Sequence, residues 1–224
     1  MLDHGDSGPV TVTYGETEWL PSLKTVLTAI EQKDMRVNPD VNSGDPIGMG
    51  LGMVCIHNNV RVTASSAYLA SRPDNLTIIT DAMVDKVIVN SGRATGVRTV
   101  DGRQFFAKKT VILSAGAVST PAILLRSGVG PPEELEKHGI PVVHALPGVG
   151  RHLQDHCMSS IGVVIRRENN EPTSGQRPTP MGWFKFKGLQ DLHEFRGLSP
   201  EWQEFLDKPT VPHWELASVR LSRA

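Results

Sequence analysis

The stretch TVILSAGAVSTPAILLRSGVG, Thr110 to Gly130, decides the fold. Val111, Ile112 and Leu113 form a short apolar run of the kind that fills a strand buried on both faces. Ala115 and Gly116, just past its end, are small enough for a close backbone approach. Thr120 can cap, Pro121 suits the first helical position, and Gly128 can stop the helix that carries Ile123, Leu124 and Leu125. The pattern predicts a strand, a turn and a helix, with small residues leaving room for a neighbour at the junction.

Upstream, LTIIT, VDKVIVN, TGVRTV and RQFFA read as strands separated by Asn-Ser-Gly and Asp-Gly turns. The last three are close enough in sequence to form an antiparallel meander. Downstream, PPEELEKHG, Pro131 to Gly139, has the proline start and glycine stop of a short helix, and IPVVHAL reads as a further strand. Leu23, Val26, Leu27 and Ile30 fall at helical spacing and predict an amphipathic helix from Ser22 to Gln32. Val37 to Gly52, rich in Gly, Asn and Pro, reads as a long functional loop. Ser199 to Lys208 has the serine cap of a short helix. The composition turns polar and proline-rich after Ile161, which places a domain boundary near residue 160 and divides the chain into 1–160 and 161–224. The fold class is α/β, of mixed α+β character.

A chain of 224 residues with 39% hydrophobic content can bury a core. Its 23 basic and 24 acidic residues are nearly balanced and form no aromatic-interleaved basic patch, which argues against nucleic acid and anionic membrane as partners. Cys55 and Cys157 are too few for a disulfide framework and read as buried thiols. The start MLDHGDSGPV shows no signal-peptide pattern and no stretch is long enough to span a bilayer, so a soluble, cytoplasmic protein is expected.

Spacing rules find no complete active-site motif. GMGLG and the two GVG triplets lack the third glycine of GxGxxG, and Walker, HExxH, GxSxG and EF-hand patterns are missing. The densest ionisable group is RHLQDH, Arg151 to His156, where His152 and His156 stand four apart. On a helix they would share a face, but no third ligand is placed by spacing, so no metal site is assigned. A loop in which Asp155 satisfies nearby backbone groups is the simpler reading. Ser114, Ser119 and Ser127 lack a placed histidine and acid.

GAVSTPAILLRSGVG resembles the second signature of the glucose-methanol-choline (GMC) flavoprotein oxidoreductases, with Ser-Thr-Pro, two aliphatics and Ser-Gly-aliphatic-Gly at fixed offsets. VNPDVNSGDPIGMG, SSAYL, LTIITDAMVDKVIV, LPGVGRHLQDH and PTVPHWEL resemble further family segments in the same order. The resemblance implies a partial FAD-binding domain followed by the start of a substrate domain. It implies that the backbone of Val84 meets the FAD adenine, that Ala115 and Gly116 lie close to the flavin, and that Asp155 and His156 stand near the isoalloxazine side. His152 replaces the family's asparagine. By the same resemblance the chain corresponds to the middle of a family member, after the GxGxxG unit and before the segment with the catalytic histidine.

Three functional readings follow. The first is FAD-dependent oxidation of an alcohol CH–OH group on a small-molecule substrate, with a complementing chain or a homo-oligomer to complete the site. The second is a flavin-independent isomerase, cyclase or lyase acting on a small apolar metabolite, with His152, Asp155 and His156 as its acid or base candidates. The third is a non-catalytic binding or scaffold protein.

Overall fold

The computed structural model describes residues 4–5, 7–14, 21–58, 60–161 and 180–217. In chain order the helices are α1 (Pro21–Glu31), α2 (Ala64–Tyr68), α3 (Gly116–Arg126), α4 (Pro132–Lys137), α5 (His193–Arg196) and α6 (Pro200–Asp207). The strands are β1 (Gly48–Leu51), β2 (Ile56–His57), β3 (Val60–Arg61), β4 (Val84–Asn90), β5 (Arg93–Thr99), β6 (Gln104–Phe106), β7 (Val129–Gly130), β8 (His144–Ala145), β9 (Pro180–Phe184) and β10 (Trp214–Ala217). The chain divides into two compact units: residues 75–164 form one, while 1–74 and 165–224 together form the other. A single cut at residue 160 therefore differs from what is found. β1 is hydrogen-bonded antiparallel to β9, and this pairing ties the early segment to the late one.

In the discontinuous unit, β9 is the centre of the sheet β1-β9-β10. β1 is buried along its whole length, and Met49 is fully enclosed. The segment expected to be a loop to Gly52 thus ends as a core strand. Gly50 makes this possible, because a Cβ there would run into Asn38 O and sit 2.9 Å from Val41 Cγ1. Buried Asn38 is satisfied by donating Nδ2 to Asp45 O (2.8 Å) and Ile47 O (3.2 Å), and by accepting from Asp40 N–H. On β9, buried and half-buried residues alternate, and Phe184 stacks on Trp214 of β10 at 4.6 Å between ring centroids. Lys185 Nζ donates to the carbonyls of Leu206, Asp207 and Lys208, which closes the C-terminal end of α6. Ser199 occupies the N-cap of α6 without the side-chain hydrogen bond expected of it.

The continuous unit contains the expected meander, β4-β5-β6, antiparallel throughout. Ser91 and Gly92 both have positive φ, as a two-residue type I′ connection requires, and the Asn-Ser-Gly signal comes from this turn. Helix α3 packs on β4, and its C-terminal end is sewn to that strand. Ser127 Oγ accepts from Val87 N–H at 2.8 Å and donates to Ile123 O at 2.6 Å, while Arg126 Nε donates to Asp85 O at 2.9 Å. Gly128 then turns the chain with φ +79°, where a Cβ would meet Pro141 O and Val143 Cγ2. Its role as helix stop follows from both the left-handed backbone and the lack of space. β7 and β8 form a short parallel pair, and Ile123 and Leu135 are core residues.

Five expectations are corrected. Residues 110–115 form no strand, and Ile112 is 82% exposed. The run has the composition of a doubly buried strand, but no described strand lies alongside to pair its backbone or cover its faces. LTIIT is likewise unpaired, with Ile78 and Ile79 exposed, and of IPVVHAL only His144–Ala145 pairs. Cys55 and Cys157 are exposed thiols rather than buried ones: Cys55 is exposed between half-buried Val54 and Ile56, and Cys157 lies on the exposed 151–161 segment. Finally, α3 begins at Gly116, a turn earlier than the Thr120 cap implied.

Candidate functional site

The early start of α3 is explained by its first turn. Gly116 has φ +86°, a conformation that L side chains rarely adopt, and this lets the chain swing directly from the extended 111–114 segment into the helix. Thr120 Oγ1 reaches back and accepts from Ala115 N–H at 3.0 Å, so it satisfies a helix-start donor from inside the helix. Pro121 lies in the helix interior. Ala115 is the N-cap, with a methyl that offers no capping bond and occupies little room.

Beside this turn is a solvent-open groove of about 620 Å³, lined by residues of the continuous unit alone. One wall is the start of β4, with Met83 and Val84. The segment Ile112 to Ala115 forms another, and Ser119, Ile123 and Arg126 of α3 close it. The wall is mostly aliphatic, with two serine hydroxyls and one guanidinium. Arg126 is held from behind: its Nε lies 3.2 Å from Asp85 Oδ1, and Asp85 Oδ2 accepts from Arg98 Nη2 at 2.8 Å. The hydrogen bond from Arg98, together with the nearby charges of Arg98, Arg126 and Lys86, keeps the Asp85 carboxyl below the ordinary aspartate range.

The structure brings Val84 and Ala115 to this one cavity, and Gly116 adjoins it as the first residue of α3. His152, Asp155 and His156 lie elsewhere, on residues 151–161, which form neither helix nor strand. His152 and His156 therefore share no helix face. All three are exposed, His152 has φ +58°, and Asp155 Oδ1 accepts from His156 N–H at 2.8 Å. Among the described residues no three His, Cys, Asp or Glu side chains are grouped to hold a metal ion, and no helix is long and apolar enough to cross a membrane. Asp85 and Arg126 went unnoticed in the sequence. Their meeting depends on how α3 lies across β4, a long-range relation that no local spacing encodes.

An aromatic ring with a polar edge suits this cavity. Val84, Leu113 and Ile123 offer apolar faces, and the Ser114 and Ser119 hydroxyls and Arg126 offer polar contacts.

Comparison with known proteins agrees with this picture. The family model described as GMC oxidoreductase matches residues 6–158, more than half of the chain. The oxygen-dependent choline dehydrogenase of Chromohalobacter salexigens is 39% identical over 177 residues, which are 76% of this chain and 31% of that protein. An FAD-dependent oxidoreductase from Chaetomium thermophilum superposes with a TM-score of 0.62 at 31% identity, over 67% of this chain and 27% of that one. Formate oxidase superposes with a TM-score of 0.70 over 95% of this chain and 43% of that one; at 24% identity it shows the shared fold alone. The chain spans less than a third of the length of the choline dehydrogenase it matches. On the family match and on the strand, turn and helix that surround the cavity, the chain belongs to the GMC oxidoreductase family.

Proposed function

We propose that the chain is the adenine-side portion of an FAD-dependent GMC oxidoreductase that oxidises the CH–OH group of a small alcohol. The observation that carries this reading is the cavity shared by Val84, at the start of β4, and Ala115, at the N-cap of α3. The named relatives add support, since one is a choline dehydrogenase and another an FAD-dependent oxidoreductase.

The residues present fit the adenine end of FAD. Val84 and Ile123 would bracket the purine, and Ala115 and the Gly116 turn, which the resemblance puts near the flavin, would let the bound FAD lie close to the backbone. When bound, FAD supplies the hydride acceptor for the alcohol carbon. The chain's own contribution is to bind and orient the nucleotide end against Val84, Leu113 and Ile123. In this reading Asp155 and His156 serve on the substrate side. A cytoplasmic location, a small-molecule substrate, and a complementing polypeptide or second copy as partner belong to the same proposal. Exposed Ile78, Ile79 and Ile112 support the last, because a strand beside them and a layer over them would pair their backbone and cover their side chains.

The test is flavin binding by the purified chain. FAD fluorescence should be quenched in a saturable titration, and a flavin band should follow the protein through gel filtration. A colourless chain that leaves FAD fluorescence unchanged overturns the proposal.

A further inference from the structure

We infer that His213 is a pH-sensitive latch in the discontinuous unit: it ties α6 and the start of β10 to the end of β9 while its ring is neutral, and lets go when the ring takes up a proton. His213 directly precedes β10 and is half-buried. Its main-chain N–H donates to Phe184 O at 2.9 Å, its Nδ1 accepts from Phe186 N–H at 2.9 Å, and its Nε2 lies 2.9 Å from Leu206 O, in α6. One residue thus joins three segments. The partners also fix its protonation state. A main-chain N–H can only donate, so Nδ1 has to present a lone pair; a carbonyl can only accept, so Nε2 has to carry the hydrogen. The ring that satisfies both is the neutral Nε2–H tautomer.

A proton on Nδ1 sets two donors against each other. The bond to Phe186 is then lost, and its N–H is left without that acceptor. The new charge also falls next to another cation, because Leu206 O already accepts from Lys185 Nζ at 3.1 Å. The same ammonium reaches the carbonyls of Asp207 and Lys208. Among the described residues no Asp or Glu forms an ion pair with the His213 ring. On α6, the Asp207 carboxylate accepts from Gln190 Nε2 at 2.6 Å and Glu204 is exposed; past its end, Lys208 Nζ stands 5.6 Å from the Phe205 ring centroid. Lys187 after β9 and Glu215 on β10 are exposed as well. The neutral ring therefore makes both side-chain bonds and the imidazolium only one, so the hold is present above the range in which imidazole ionises, about pH 6.5, and is lost as pH falls through it.

The experiment is NMR on the full chain and needs no flavin. At about pH 8 the ring nitrogens of His213 should show the hydrogen on Nε2 and a bare Nδ1. Protection of the Phe186 amide, corrected for the intrinsic exchange rate, should fall about tenfold from about pH 8 to about pH 5, while the Val87 amide of the other unit keeps its protection. In His213→Asn, whose Oδ1 can take the place of Nδ1 and does not titrate, Phe186 protection should be the same at both pH values. A hydrogen found on Nδ1 at the higher pH overturns the inference. So does Phe186 protection that stays within about twofold across the range, or a fall that persists in the Asn variant, since another group would then be titrating. If His213→Asn does not fold, His213→Gln, which keeps a donor for Leu206 O and is equally unable to titrate, takes its place in the same comparison.

Discussion

Ser127→Ala tests the seam between β4 and α3, on which the shape of the cavity depends. Ser127 and Val87 are both buried, at 7% and 8% exposure, and the serine Oγ accepts the Val87 N–H at 2.8 Å. Alanine removes the acceptor and leaves a main-chain donor enclosed with no water to replace it. The other bond of the hydroxyl matters less, because Ile123 O keeps the Ser127 N–H at 3.0 Å. An unsatisfied buried N–H costs about 1–3 kcal/mol. At about 1.4 kcal/mol per factor of ten, protection of the Val87 amide against hydrogen exchange should fall roughly 5- to 150-fold. Amide exchange followed by NMR measures it directly at Val87, with the amides of α1 as an internal control that should not change. If Val87 protection stays within about twofold of the parent, the hydroxyl is not what holds this strand to the helix, and the account of the seam is wrong.

Two other outcomes follow from the same unit. Gly128→Ala should destabilise it by about 2–4 kcal/mol, combining a left-handed residue with overlap on Val143. Gly139→Ala, at φ +64° but with open space around the Cβ, should cost only about 1 kcal/mol; equal denaturation midpoints for the two would refute the steric part. Asp85, whose folded carboxyl titrates below the usual 3.8, contributes stability that is present above that value and lost as pH falls through its depressed folded value. The stability gap between the parent and Asp85→Asn should therefore close on going from about pH 6 to about pH 2, and a gap independent of pH would contradict the ion-pair assignment.

Local signals served well wherever the structure is local. The β-branched content of VDKVIVN and RATGVRT, with a two-residue Ser-Gly connection, specifies the β4–β5 hairpin because the partners are adjacent in sequence. Helix α4 and the Gly128 stop were legible for the same reason. TVILSA was misread because an apolar run records a preference for burial, whereas a strand needs partners that the run itself cannot name. Thr120 misled in a different way, since a hydroxyl that caps from outside a helix and one that reaches back from within it have the same sequence signature. At the site, Val84, Ala115 and Gly116 came from resemblance to a family pattern. Arg126 was hidden because its role depends on Asp85, which lies on a different element.

The pairing of β1 with β9 also has a consequence for biosynthesis. Residues 75–164 leave the ribosome as one uninterrupted stretch and can fold as soon as they emerge, whereas β1, made before them, has to wait for β9, made after them. Throughout that delay Met49 has only its local partners Arg36 and Asn38, and the β9 side of Met49 and Leu51 is uncovered. Among the described strands, the one buried along its whole length is thus completed late, and a nascent-chain chaperone that binds short apolar segments has a target there.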